Sequence, residues 1–192
     1  MAKKDPYRDW LKQDFGSLFD GLNLENFQKH YLKSRWLDQV LWSESKAAQT
    51  RNSYYNTRLT AIVGGVIVPV LVSLNLNGVP GQIAKYTSIV LSGTVAVSAA
   101  VEEFFRYGER WQHYRRTAES LKSQGWQFFQ LSGTYRNAKD HTSAYVDFVD
   151  QIEEIIQRDV EVFVTQVAKE KKKEEEGQSE PGPAQESTEE NT

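Results

Sequence analysis

LTAIVGGVIVPVLVSLNL, residues 59–76, and IAKYTSIVLSGTVAVSAAV, residues 83–101, decide the fold of this chain. Lys85 is the only charged side chain in residues 59–101. The first stretch has 18 residues, and a helix of that length is about 27 Å long, close to the thickness of a bilayer's hydrocarbon core. The intervening NGVPG is rich in turn-forming residues. The pattern therefore predicts a hairpin of two transmembrane helices.

A buried hairpin in a soluble core is the alternative, because such helices are also apolar on all sides. Two adjacent uncharged stretches of membrane length are hard to enclose in a chain of only 192 residues. Basic residues also favour a membrane: the 20 residues on the outer flank of each stretch together hold seven Lys or Arg, and the turn side holds only Lys85. By the positive-inside rule we expect a multi-pass membrane protein with both termini in the cytoplasm.

The chain outside the hairpin predicts long helical extensions. Apolar side chains recur at helical spacing over residues 24–58, 102–124 and 144–168, and each apolar face needs a partner. The fold class we predict is an all-α membrane protein: a two-helix transmembrane hairpin whose cytoplasmic extensions form a bundle within a domain at 24–168. Residues 1–23 are expected to be partly irregular. Residues 169–192 lack large apolar side chains and are expected to form a disordered acidic tail.

Two patterns in the spans point to assembly and to a polar path. Small residues recur every fourth position in the second span, a ridge that lets another helix approach closely, and Gly64 and Gly65 are candidates for the opposing groove. The predicted ridge is Ser88, Ser92, Ala96 and Ala100. A second stripe of polar side chains would line a pore in a homo-oligomer. Alternatively, its hydroxyls donate hydrogen bonds to carbonyl oxygens of their own helix. That stripe is Thr87, Thr94, Ser98 and Glu102.

No residue pattern in the sequence marks an enzyme, a cofactor site, a metal site or a nucleic-acid-binding surface. The chain has no Cys, no phosphate-binding glycine loop and three His that are far apart in sequence. Glu109 and His113 are spaced i,i+4, but one carboxylate and one imidazole do not make a metal site. The arginines after the second span either bind lipid headgroups or only set the topology. They are Arg106, Arg110, Arg115 and Arg116.

The sequence resembles a known family over three segments. They are the hairpin, the run EEFFRYGERWQHYRRTAESLKSQGWQFFQLSG after it and the segment RWLDQVLWSESKAAQTRNSYYNTRL before it. The pattern, over roughly residues 30–168, is similar to the SLATT families, bacterial two-transmembrane proteins that associate with SMODS and SLOG domains, and most of all to their stand-alone type of unknown function. The resemblance implies a pore-forming effector in bacterial stress or conflict signalling. It supplies no catalytic residues.

Two functional hypotheses follow from these observations. The first is a homo-oligomer, surrounded by membrane lipids, that forms or gates an ion-permeable pore, with Glu102 attracting cations at its cytoplasmic mouth. The second is a non-conducting scaffold that holds a cytoplasmic protein partner through its bundle and tail.

Overall fold

The computed structural model describes residues 6–74 and 77–178, and no strand occurs among them. The all-α prediction is therefore confirmed for this part of the chain. The helices α1 to α6 are, in order, Pro6–Gly21, Asn26–Tyr31, Leu37–Ser73, Gly78–Phe105, Tyr107–Phe129 and His141–Gln178. A π-helical turn, Leu32–Trp36, joins α2 to α3, and a 3-10 turn, Gly133–Tyr135, lies between α5 and α6.

Two helices are long and apolar enough to cross a membrane. One is the continuous run Asn26–Ser73, formed by α2, the π-helical turn and α3, and the other is α4. They contain the two predicted spans, except for residues 75 and 76, which lie outside the described residues. Only 6% of the most apolar window of each helix is buried within the chain. The core helix of a soluble domain would be mostly buried, so this hairpin does not have the character of a soluble core.

Four helical segments form a bundle around an aromatic core. They are α1, the first part of the long α2–α3 helix, α5 and α6. Prediction treated residues 1–23 as partly irregular, but residues 6–21 form α1 and bury Leu11, Phe15 and Phe19. The i,i+4 spacing of these three side chains, behind a proline at the first position, is a helix signal that the sequence offered. This helix was not predicted from the sequence, because charged and polar residues outnumber the apolar residues in this segment.

Trp36 occupies the centre of this bundle. Its side chain is fully buried, and its ring lies 5.0 Å from Phe15 and 5.9 Å from Phe148, measured between ring centroids. The indole Nε1 donates a hydrogen bond of 3.1 Å to the carbonyl oxygen of Leu121. A Cβ atom added at Gly125 would lie 2.2 Å from Trp36 Cζ2. Only glycine at position 125 lets the indole reach the backbone of α5.

Two helix boundaries differ from prediction. The second span was expected to run without interruption into the next helix, but α4 ends at Phe105 and Arg106 has a left-handed backbone with φ of 47°. A left-handed arginine costs about 1–2 kcal/mol and has no sequence signal. At the other end of the chain, α6 continues to Gln178, ten residues beyond residue 168. Its last part is rich in Lys and Glu, which are good helix formers. The rest of the predicted tail, 179–192, lies outside the described residues.

Substituting Gly125 tests the role of the indole contact. We expect Gly125→Val to lower the free energy of unfolding by about 1–3 kcal/mol, the usual cost of overpacking a core, because the rigid indole has no room to move. Thermal unfolding of the purified full-length chain, followed by circular dichroism, measures the change. Gly16→Val is the control, since an added Cβ at Gly16 meets nothing within 4 Å. Equal stability of the two variants would contradict the prediction.

Candidate functional site

The hairpin is held together by one seam between α3 and α4. Apart from Val101, the α4 residues that the hairpin shields at least in part recur at alternating intervals of three and four, the spacing of a coiled-coil seam. A Cβ atom added at Gly64 would lie 2.2 Å from Val95 Cγ2 and 3.7 Å from Leu91 Cδ1, so α3 approaches α4 closely at this glycine. The seam residues of α4 are Gly81, Ala84, Ser88, Leu91, Val95, Ser98 and Glu102.

The predicted small-residue ridge meets this seam at only one point. Ser88 is buried, whereas Ser92, Ala96 and Ala100 are exposed. An i,i+4 repeat turns by about 40° per step on a helix of 3.6 residues per turn, so the ridge winds out of the seam toward the outer surface of α4. Gly64 packs against Val95 and Leu91 instead of the ridge, and an added Cβ at Gly65 would meet nothing within 4 Å.

The predicted pore stripe is divided between two faces of α4. Thr87 and Thr94 are exposed, while Ser98 and Glu102 are half-buried in the seam. The hydroxyl of Thr94 donates to the carbonyl oxygen of Val90 at 2.9 Å. Ser88 and Ser92 likewise donate to carbonyls four residues earlier, at 2.8 and 2.7 Å. Within the stripe, the Thr94 hydroxyl bonds back to its own helix in the way that the alternative interpretation expected, while Ser88 and Ser92 belong to the ridge.

The arginines after the second span have different partners. Arg106 forms an ion pair with Glu109 beside the α4–α5 break, and Arg110 is exposed. Arg115 instead bridges two carboxylates, with distances of 3.2 Å to Glu44 and 2.5 Å to Glu119. Arg116 lines a groove between α5 and α6. The four side chains do not form one cluster.

An aromatic cluster joins α3 to the start of α5. The rings of Tyr54, Tyr55 and Trp111 lie within 5.6–6.2 Å of one another, measured between centroids. The guanidinium of Arg58 lies 6.0 Å from the Tyr54 ring, which is within the range of a cation–π contact. Trp111 is more than 50 positions away from Tyr54 and Tyr55 in sequence, so no local pattern predicted this cluster.

A buried group of charges lies deeper in the bundle, where α3 meets α5. The Lys122 ammonium donates to Glu44 at 2.6 Å and to Glu119 at 2.9 Å. Burial alone would lower the pKa of Lys122, but the hydrogen bonds to these two carboxylates outweigh it and raise the pKa. This network was missed because Glu44 and Lys122 are 78 positions apart in sequence.

His113 pairs across the bundle and not with Glu109. Its Nε2 lies 2.9 Å from Asp159 Oδ1, and Thr117 donates to the same oxygen at 2.6 Å. These contacts join α5 to α6. Among the described residues, no group of three or more His, Asp or Glu side chains is arranged to hold a metal ion.

Glu153 fastens α6 to the start of the α2–α3 helix. Its two carboxylate oxygens accept hydrogen bonds from Arg35, at 2.9 and 2.7 Å, and one also accepts a bond of 2.8 Å from the Tyr31 hydroxyl. The Arg35 hydrogen bond is the main reason why the pKa of Glu153 is lowered from its ordinary 4.5. The pKa of Tyr31 is raised, chiefly by burial and then by its bond to Glu153.

The comparison with known families matches one of them. A family model described as "Protein of unknown function (DUF4231)" matches residues 38–143, more than half of the 192 residues. The chain belongs to the DUF4231 family. The matched region contains the whole hairpin, α5 and the 3-10 turn. The resemblance noted in the sequence is therefore confirmed at the level of a family of unknown function. No curated protein and no solved structure matches the chain.

The Glu153 contacts predict how stability depends on pH. A carboxyl whose pKa is lower in the folded state contributes stability that is complete above its unfolded pKa and is lost as pH falls through the folded value. We therefore expect wild-type stability to fall below about pH 4.5, and Glu153→Gln to be less stable at pH 7 with a weaker acid dependence. Unfolding midpoints measured between pH 3 and 7 test this.

Glu154→Gln is the matched control for that series. Glu154 is the next residue, and its ion pair with Arg158 is exposed on both sides. Exposed ion pairs contribute little to stability. A Glu154→Gln variant that changes the acid dependence as much as Glu153→Gln would show that the Arg35–Glu153–Tyr31 contacts do not cause it.

Proposed function

We propose that this chain is a two-pass membrane protein with both termini in the cytoplasm, and that its spans assemble into a homo-oligomer that forms or gates an ion-permeable pore. The observation that carries the proposal is the exposed apolar surface of the hairpin, because only 6% of the most apolar window of each long helix is buried. In water this surface would be a severe aggregation liability. In lipid it needs no cover, because helices satisfy most of their backbone polar groups internally.

The outer surface of α4 supports self-association. Ser92, Ala96 and Ala100 are exposed and lie outside the α3–α4 seam. Small side chains gain little by facing lipid, but they let the backbones of two membrane helices approach and pack. A second copy of the chain would find there a surface that the hairpin does not use.

A polar path supports conduction by such an assembly. Thr87 and Thr94 are exposed on α4. The Thr94 hydroxyl donates to its own helix, and this leaves its oxygen free to accept hydrogen bonds from water. Glu102 follows toward the cytoplasmic end, half-buried beside Ser98. In this proposal a neighbouring copy closes the path over the threonines, and Glu102 attracts cations to its mouth.

The surroundings of the arginines limit the proposed contacts with lipid headgroups to the start of α5. Arg106 and Arg110 lie next to the end of α4, whereas Arg115 is already held by Glu44 and Glu119. Basic side chains next to a span attract the anionic lipids of the cytoplasmic leaflet. We further propose that the protein is of the SLATT type and acts as an effector in bacterial stress or conflict signalling, because the run at 102–133 resembles those proteins.

Ion flux tests the pore directly. We expect full-length wild-type protein in liposomes to pass monovalent cations under an applied potential. Ser92→Leu should reduce the flux at least about tenfold by preventing close helix packing, and Glu102→Gln should remove the preference for cations over anions. Flux of potassium and chloride, measured with ion-sensitive dyes, gives both quantities.

Matched controls separate these effects from general damage. Ser73→Leu makes the same change on an exposed serine of α3, and Glu103→Gln neutralises the exposed neighbour of Glu102. Both should behave as wild type. Wild-type flux in Ser92→Leu and Glu102→Gln would contradict the assigned roles, and a wild type that passes no ions would favour the second candidate.

The second candidate, a non-conducting membrane scaffold, is favoured by one specific observation. Half of the predicted pore stripe, Ser98 and Glu102, is half-buried in the intramolecular seam. The bundle also carries an exposed aromatic groove that a partner protein could occupy. The groove is lined by Tyr7, Trp10 and Trp126 among others.

Truncation tests the scaffold. We expect deletion of residues 169–192 to remove the partners that co-purify with wild type from detergent-solubilised membranes, while the amount of protein in the membrane stays within about twofold of wild type. Deletion of 179–192 alone keeps the whole of α6 and shows which part of the tail matters. Unchanged partners in both deletions would place the contact in the bundle and count against the tail.

A further inference from the structure

A cleft opens between α3 and α4 near the turn of the hairpin. Its volume is about 510 Å³. The seam is wide here because its α4 residues are small, Gly81 and Ala84 among them, and leave space beside Leu71 and Val72 of α3. Apolar side chains from both helices and the stem of Lys85 form its walls. The lining is Leu71, Val72, Gly81, Ala84, Lys85, Ser88, Ile89 and Ser92.

Lys85 gives this cleft a cation that no carboxylate among the described residues neutralises. No Asp or Glu occurs anywhere between residues 46 and 101. Among the described residues Lys85 is exposed and has no hydrogen bond or ion pair. Arg35, Arg115 and Lys122, by contrast, lie in the bundle and are paired with carboxylates. An ammonium group at the edge of an apolar cleft favours an occupant with an apolar chain and an anionic head.

We propose that this cleft binds one anionic phospholipid, with an acyl chain between α3 and α4 and its phosphate on Lys85. The proposal rests on the membrane placement given under Proposed function, and it assigns the lipid to the leaflet on the turn side. A zwitterionic lipid has the same chain but no net charge to match Lys85. The lipid would fill the space that the small residues leave open and would hold the two helices together at this end.

Lipid retention tests the site. Full-length protein is extracted from membranes in mild detergent, given phosphatidylglycerol or phosphatidylcholine with identical acyl chains, and examined by native mass spectrometry. We expect wild type to keep one tightly bound phosphatidylglycerol per chain in preference to phosphatidylcholine. Lys85→Gln should weaken this binding about fivefold, the usual effect of one basic group on an anionic lipid. Ala84→Leu, which fills the cleft, should remove both lipids.

Two controls make the result specific. Ala99→Leu adds the same side chain at an exposed α4 position outside the cleft, and Lys12→Gln removes one charge from the exposed surface of α1. Both should keep the wild-type lipid. Wild-type retention in Lys85→Gln and Ala84→Leu would overturn the lipid site while leaving the pore untouched. A chain that does not enter membranes when expressed in cells would instead refute the membrane placement itself.

Discussion

The bundle depends on the insertion of one indole into the groove made by one glycine. Trp36 touches α1 through Phe15 and Phe19, α5 through Gly125 and the Leu121 carbonyl, and α6 through Phe148. A buried indole nitrogen needs a hydrogen-bond acceptor, and the only backbone that comes close enough is one without a Cβ atom in the way. The remaining aromatic core is arranged around this contact. Two polar attachments, Glu153 to Arg35 and Lys122 to Glu44, then fix α6 and α5 against the same long helix.

That long helix connects the bundle to the hairpin without a break. From Asn26 to Ser73 it runs 48 residues, about 72 Å at 1.5 Å per residue. The second connection is different, because α4 and α5 are separated by the left-handed backbone of Arg106. One of the two links is therefore a continuous rod and the other contains a bend.

Local pattern was enough to predict most of the helices but not their partners. The two long apolar helices, the helical approach to the first of them and α6 were foreseen because apolar periodicity is a property of neighbouring residues. The seam was not, since the ridge from Ser88 to Ala100 and the actual seam through Leu91 and Val95 are both plausible stripes on one helix. The break at Arg106, the Trp36–Gly125 contact and the Glu44–Lys122 pair depend on tertiary packing, which no local signal records.

The distribution of small residues on α4 underlies both proposed binding surfaces of the hairpin. Small residues at Gly81, Ala84 and Ser88 lie in the seam near the turn, where the hairpin leaves a cleft. Farther along, the bulkier Leu91 and Val95 fill the seam against Gly64, and the small residues shift to the outside. Membrane helices pack closely only where side chains are small. In the two proposals above, the cleft takes an acyl chain and the outer surface of α4 takes another helix, with Ser92 at the boundary between them.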